Sequence, residues 1–303
     1  MNPGATVTPA FEWQDLIGEI GAGRFETDYF GKQPLHLKGC FTPATGLESL
    51  SDWKKVLAGQ AVRREGHRGR VEIDSAVGDG QPVSGELEAL LDQGGPLIVG
   101  SINKLNPAVD AIAGGIARGL TAFVGVNAYI SPFRKDALDL HFDDHDVIVL
   151  QLHGEKHWTL GTRVARGVAS SRFFKVSHEV LRADAIENDS FRTLEMKAGD
   201  LLYLPRGLFH RATASRETSI HLSFGIRRPT GLDFLDLVMQ RLIAEPATRE
   251  YVPRLDPASG DTDLGAYLDA MRDRLVAAAN DPETRDEFLE QYRSKFNGVT
   301  DGR

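Results

Sequence analysis

The stretch Leu138-Asp-Leu-His-Phe-Asp-Asp-His-Asp146, running straight into Val147-Ile-Val-Leu-Gln-Leu152, decides how this chain reads. Its second half is a short apolar run rich in β-branched residues, which reads as a buried strand. Gly154 marks a turn, and Lys156-His-Trp-Thr-Leu160 reads as the returning strand. In the first half, His141 and Asp143 stand two residues apart, a spacing that on a strand puts both side chains on one face. The stretch Gly199-Asp-Leu-Leu-Tyr-Leu-Pro-Arg-Gly-Leu-Phe-His210 has the same character. Lys197-Ala-Gly-Asp200 is a turn, Leu201-Leu-Tyr-Leu204 a strand and Pro205-Arg-Gly207 a second turn, after which His210 follows. Two histidines and one aspartate brought to a point form a 2-His-1-carboxylate facial triad, the ligand set of non-haem Fe(II) oxygenases. An isolated His-x-Asp is common by chance. Its position beside strand ends in an all-β segment favours metal binding here.

These residues carry a resemblance. The segment from Asn127 to Gly161 resembles the core of JmjC-type 2-oxoglutarate oxygenases, and among them the ribosomal oxygenase branch, whose members hydroxylate side chains of ribosomal proteins. The shared phrases are HxDDxDxxxxQxxGxKxW, starting at His141, and GDxLYLPRGxxH, ending at His210. Asp28-Tyr-Phe-Gly-Lys-Gln-Pro-Leu-His-Leu-Lys38 and Ser219-Ile-His-Leu-Ser-Phe-Gly225 match as well, so the resemblance spans roughly residues 10 to 230.

The resemblance implies a mainly β fold with helices, built on a double-stranded β-helix (jelly-roll, cupin-type) core. It also implies Fe(II), 2-oxoglutarate as cosubstrate, and dioxygen. Carried over residue by residue, it makes His141, Asp143 and His210 the iron ligands and the catalytic centre. Lys156 takes the place of the cation that binds the distal carboxylate of 2-oxoglutarate. A dicarboxylate inside a largely apolar barrel requires such a charge. Trp158, two residues on, faces the same way and is expected to wall the pocket. Asn127 and Tyr129 share a face and match positions that bond the cosubstrate or line the iron site, although Tyr129 reads equally as an ordinary strand aromatic.

The implied reaction is oxidative decarboxylation coupled to hydroxylation, with an Arg or His side chain of a ribosomal protein as the leading substrate. Hydroxylation of another peptide or of a small metabolite is an alternative. A non-catalytic cupin binding protein is a third, against which the intact His141, Asp143, His210 and Lys156 argue.

The other histidines read as structural. His145 and His153 flank one strand, His157 alternates away from Lys156 and is expected to point outward, His36 lies in an early strand, and His67 and His178 lie in polar stretches. His221 is the exception. Ser219, His221 and Ser223 alternate on a strand expected to run beside the site, and a third imidazole ligand would indicate a different cupin dioxygenase. Asp143 is therefore decisive, and His221 is expected to be a satisfied core histidine.

The chain has 303 residues, 41% hydrophobic and 26% charged, as in ordinary water-exposed globular proteins. No apolar run approaches a membrane span and Met1-Asn-Pro-Gly-Ala-Thr lacks the pattern of a signal peptide. Cys40 is the single cysteine, so no intrachain disulfide forms. A cytoplasmic location is expected. The formal charge of -8 disfavours direct nucleic-acid binding and agrees with a basic protein partner such as a ribosomal protein.

Residues 1–120 are expected to form an N-terminal α/β part, with Phe11-Glu-Trp-Gln-Asp-Leu-Ile17, residues 47–57 and a helix from Pro107 as its helical signals. Residues 121–228 carry the β-helix core. From Gly231 the pattern turns helical in three apolar stripes: Phe234, Leu235, Leu237, Val238, Leu242 and Ile243; then Leu264, Tyr267, Leu268, Met271 and Leu275; then Phe288, Leu289, Tyr292 and Phe296. Residues 231–303 are expected to form a dimerisation region without a complete winged helix, so that two copies pair through residues such as Leu235, Val238, Leu242, Tyr267 and Met271.

Overall fold

The computed structural model describes residues 11–57, 61–64, 71–72, 81–82, 97–131, 139–168, 187, 189–214, 217–253 and 262–297. His67 and His178 lie outside them. The described residues form two compact units, one ending at Arg228 and one running from Pro229 to Asn297.

The first unit opens with α1 (Trp13–Ile17), short helical turns at Ala22–Arg24 and Phe25–Tyr29, β1 (Leu35–Leu37) and α2 (Leu50–Leu57). Short strands β2 (Ala61–Arg64), β3 (Val71–Glu72) and β4 (Gln81–Pro82) pair in the order β3-β2-β4, and β5 (Leu97–Val99) follows. Helix α3 (Pro107–Leu120) starts where Asn106 accepts a hydrogen bond from the Val109 amide at 3.0 Å and Pro107 supplies a preset φ. A Cβ at Gly119 would lie 2.3 Å from Trp13 Cβ, so glycine there lets α1 seat directly on α3.

The remaining strands are β6 (Phe123–Ser131), β7 (Asp146–His153), β8 (Glu155–Val164), β9 (Phe191–Lys197), β10 (Leu201–Leu204), β11 (Leu208–Ala214) and β12 (Ser219–Arg227). They form a six-stranded sheet, β1-β10-β7-β12-β6-β5, and a three-stranded sheet, β11-β8-β9. Every neighbouring pair is antiparallel. The Lys156 side chain on β8 reaches Ser131 on β6 and His221 on β12, so the two sheets face each other. This is the expected double-stranded β-helix.

The apolar run in β7 is continuous because both faces of its sheet are covered. Ile148, Leu150 and Leu152 join a large core with α1 and α3 residues such as Trp13, Val109 and Ile116. Val147 and Val149 face the other way, into a smaller core with Trp158, Leu160, Met196 and Leu202 between the sheets. Strand β12 divides the same way, with Ile220, Leu222, Phe224 and Ile226 in the large core and Ser219 and His221 on the opposite face. Gly154, at φ +65°, turns β7 into β8. A Cβ there would stand 2.5 Å from the Thr218 carbonyl oxygen.

The second unit holds three helices, α4 (Gly231–Ala244), α5 (Thr262–Asn280) and α6 (Pro282–Asn297). Thr230 and Asp233 form a capping box at the start of α4. Helices α4 and α6 are tied by an edge-to-face contact of Phe234 with Phe288 and by Arg241 donating to Glu287. Of the first apolar stripe, Leu237, Val238 and Leu242 are buried while Leu235 and Ile243 are exposed. Val238 and Leu242 are thus already used inside the protomer. They are not free to meet a second copy, which corrects that part of the expectation.

Candidate metal centre and buried lysine

His141 and Asp143 do not lie on a regular strand. They precede β7, and His141 makes only a single-residue antiparallel bridge with His210. The two histidines exchange both backbone hydrogen bonds, His141 N to His210 O at 3.1 Å and His210 N to His141 O at 2.7 Å. One turn away, the Gly207 amide donates to the Asp143 carbonyl at 3.0 Å. The first two ligands are thus zipped to the third by main-chain bonds. Gly207, at φ +83°, sits under the Ala165 carbonyl, where a Cβ would lie 2.3 Å away.

The three side chains converge. One ligand atom from each of His141, Asp143 and His210 lies within 4.8 Å of the others, and His210 Nε2 is 3.5 Å from Asp143 Oδ2. Each imidazole is oriented by its other nitrogen: His141 Nδ1 is 2.8 Å from the Asp139 carbonyl and His210 Nδ1 is 2.9 Å from the Leu208 carbonyl. A carbonyl only accepts, so the proton sits on Nδ1 and the Nε2 lone pair is left for a metal. Burial, opposed by Asp143 and helped by His141, keeps His210 neutral well into the acid range. Two imidazoles and one carboxylate fit Fe(II) in the facial-triad arrangement.

A row of rings leads from this cluster to Lys156. His141 and His210 have ring centroids 4.4 Å apart, His210 and Trp158 6.0 Å, Trp158 and His221 5.9 Å, and His221 and Tyr129 4.8 Å. Lys156 is fully buried, with Nζ 2.8 Å from Ser131 Oγ and 3.1 Å from His221 Nδ1. No carboxylate lies against it among the described residues, and burial alone lowers its pKa to about 7. His221 is held well below its usual value, first by burial and then by the Lys156 charge. The Trp158 Nε1–H is buried with no acceptor among the described residues. A buried cation without its anion and an orphaned donor in the same wall fit a bound carboxylate.

Of the residues expected here, His141, Asp143 and His210 come together, and Lys156 and Tyr129 come together around His221. Asn127 accepts from the Ser101 amide at 3.4 Å, and it lies opposite Ser223 on β12. Ser131 was not foreseen. Its signal is the period of two on β6, which puts it on the face of Asn127 and Tyr129. His221 is a buried histidine as expected, but its partner is Lys156. His36 pairs with Asp200 at 3.0 Å, and His157 is exposed and meets Glu195 at 3.1 Å.

A model of the JmjC domain matches residues 106–234. Ribosomal oxygenase 2 of Bos taurus is 33% identical over 167 residues, covering 51% of this chain and 34% of that protein. Its counterpart in Mus musculus is 38% identical over 188 residues, covering 57% and 37%. The bifunctional lysine-specific demethylase and histidyl-hydroxylase NO66 of Dictyostelium discoideum is 38% identical over 102 residues, covering 33% and 19%. The chain spans well under half the length of these relatives. A solved structure of YcfD, a ribosomal oxygenase from Escherichia coli, shares the fold with TM-score 0.55 at 19% identity, covering 92% of this chain and 70% of that one. With this fold, this ligand pattern and these matches, the chain carries a stretch, residues 106–234, that matches the JmjC domain, and it is similar to the ribosomal oxygenases.

Proposed function

We propose that this protein is an Fe(II)- and 2-oxoglutarate-dependent hydroxylase acting on an Arg or His side chain of a ribosomal protein. One observation carries the assignment beyond the fold: Lys156, buried between the sheets with no carboxylate beside it among the described residues, stands at the far end of a ring row from the His-Asp-His cluster. His141, Asp143 and His210 would hold Fe(II), and Lys156 with Ser131 would hold the distal carboxylate of the cosubstrate. When bound, iron, 2-oxoglutarate and dioxygen supply the oxidising chemistry, in which the cosubstrate becomes succinate and carbon dioxide and one oxygen atom enters a substrate C–H bond. The protein's part is positional. The Asp139 and Leu208 carbonyls aim the imidazoles, Trp158 and Tyr129 wall off water, and the charge on Lys156 orients the dicarboxylate.

The relatives named ribosomal oxygenases and the net charge of -8 support a basic ribosomal protein as substrate. A cytoplasmic location and no direct nucleic-acid binding belong to the same proposal. No helix among the described residues is long and apolar enough to cross a membrane. A homodimer through the helical unit belongs to the same proposal. Leu235, Leu268 and Val276 are 49%, 57% and 51% exposed, and such apolar surface is usually covered by a partner.

His141→Ala and Asp143→Ala each abolish turnover and tight Co(II) binding while circular dichroism stays native. Wild-type Co(II) affinity in Asp143→Ala would remove Asp143 from the centre. Lys156→Ala loses most 2-oxoglutarate affinity by calorimetry, and Lys156→Arg keeps part of it because the charge survives. Affinity also depends on pH. The dicarboxylate raises the Lys156 pKa from its free value of about 7, so binding is strongest below that pH and weakens as pH rises through the pKa of the complex. A pH-independent affinity would contradict this. Mass spectrometry of ribosomal proteins from cells carrying the wild-type or the His141→Ala gene shows one extra oxygen on an Arg or His only with the wild type. Light scattering gives a dimer at micromolar concentration, and Leu235→Glu with Leu268→Glu shifts it to monomer.

A further inference from the structure

We propose that His221 is a positioning residue for Lys156, a role that rests on the cosubstrate assignment above. In its charged form, the one that binds an anion, Lys156 has three N–H donors and no acceptor, so across the 3.1 Å contact it donates to His221 Nδ1. The ring is therefore neutral and carries its proton on Nε2. Ser131 Oγ, at 2.8 Å, takes a second N–H of Lys156. With two of the three donors anchored inside the protein, the third is left for an anion, and the four-carbon stem is held in one conformation before ligand arrives.

The acceptor is itself fixed by the fold. His221 lies directly opposite Tyr129 in the register of β12 and β6, and the two rings stack at 4.8 Å with an interplanar angle of 4°. Trp158 meets the imidazole edge-on at 73°. These two rings set the imidazole plane, so strand register decides where Nδ1 points. The choice of residue also follows. A carboxylate in this place would neutralise Lys156 and compete with an incoming dicarboxylate, whereas a neutral imidazole anchors the ammonium and leaves its charge for the ligand.

The test is calorimetric titration of 2-oxoglutarate into Mn(II)-loaded protein without oxygen, alongside Mn(II) affinity, for wild type, Lys156→Ala, His221→Leu, His221→Asn and His221→Gln. His221→Leu removes the acceptor and is expected to weaken 2-oxoglutarate binding about tenfold or more, the usual effect of losing a hydrogen bond to a charged group, with Mn(II) affinity unchanged. Asn places an oxygen near the Nδ1 position and is expected to stay within about threefold of wild type, whereas Gln places its polar atoms near Nε2 and is expected to resemble Leu. If the Leu variant does not fold, the Asn and Gln pair decides. Asn and Gln equally weak, or Leu as tight as wild type while Lys156→Ala is weak, overturns the positioning role and leaves His221 as packing. Lys156→Ala as tight as wild type overturns the cosubstrate assignment itself.

Discussion

An ammonium group buried between two sheets, with no anion beside it among the described residues, sets the terms for the interior of this barrel. Moving a charge out of water is costly unless polar groups replace its hydration. Here the replacement comes from Ser131 and His221 on the opposite sheet. Nearby, Gln151 donates to Ser219 Oγ and to the His153 carbonyl, both at 2.7 Å. Strands β6, β7 and β12 therefore carry two patterns at once. One face is apolar and packs on the helices. The other is apolar in part and turns polar around the lysine. What burial still costs is visible in the lowered Lys156 pKa, and an arriving dicarboxylate relieves it.

The metal cluster obeys a different constraint. Its three side chains come from segments nearly seventy residues apart, and their convergence depends on main-chain bonds rather than on a long sheet ladder. The reciprocal pair between His141 and His210, with the bond from Gly207 to the Asp143 carbonyl, holds the segments in register. His210 is held in β11 against β8, whereas the His141–Asp143 segment lies outside regular pairing, so its side chains can lean toward His210. A regular strand pair would hold them perpendicular to the sheet. The ring row from His141 to Tyr129 then joins the cluster to the lysine through packed side chains, so the two halves of the site share one wall.

Much of this was legible in the sequence. The run 147–152, the turns at Gly154, 197–200 and 205–207, and the period-two spacing of Lys156 and Trp158 all reflect local physics: β-branched residues, glycine at positive φ, and alternating side chains. The three candidate ligands and the lysine stood out because their residue types at those spacings resemble a known pattern. Ser131 did not stand out, since a serine two residues beyond a tyrosine carries no signal until a lysine from another sheet points at it.

What the sequence by itself determined was which faces of which strands are apolar, where the chain turns, and which residues carry chemistry. Only the tertiary structure decided that His141 sits in a single bridge and Asp143 just beyond it rather than in a strand, that Val238 and Leu242 are consumed inside the protomer, and that His221 answers to Lys156 rather than to the metal cluster. The physical reason is one of range. Periodicity and turn chemistry act over a few residues, while the pairing of His210 with His141, of β12 with β6, and of one sheet's lysine with the other sheet's imidazole joins positions dozens of residues apart, where no local pattern records the partner.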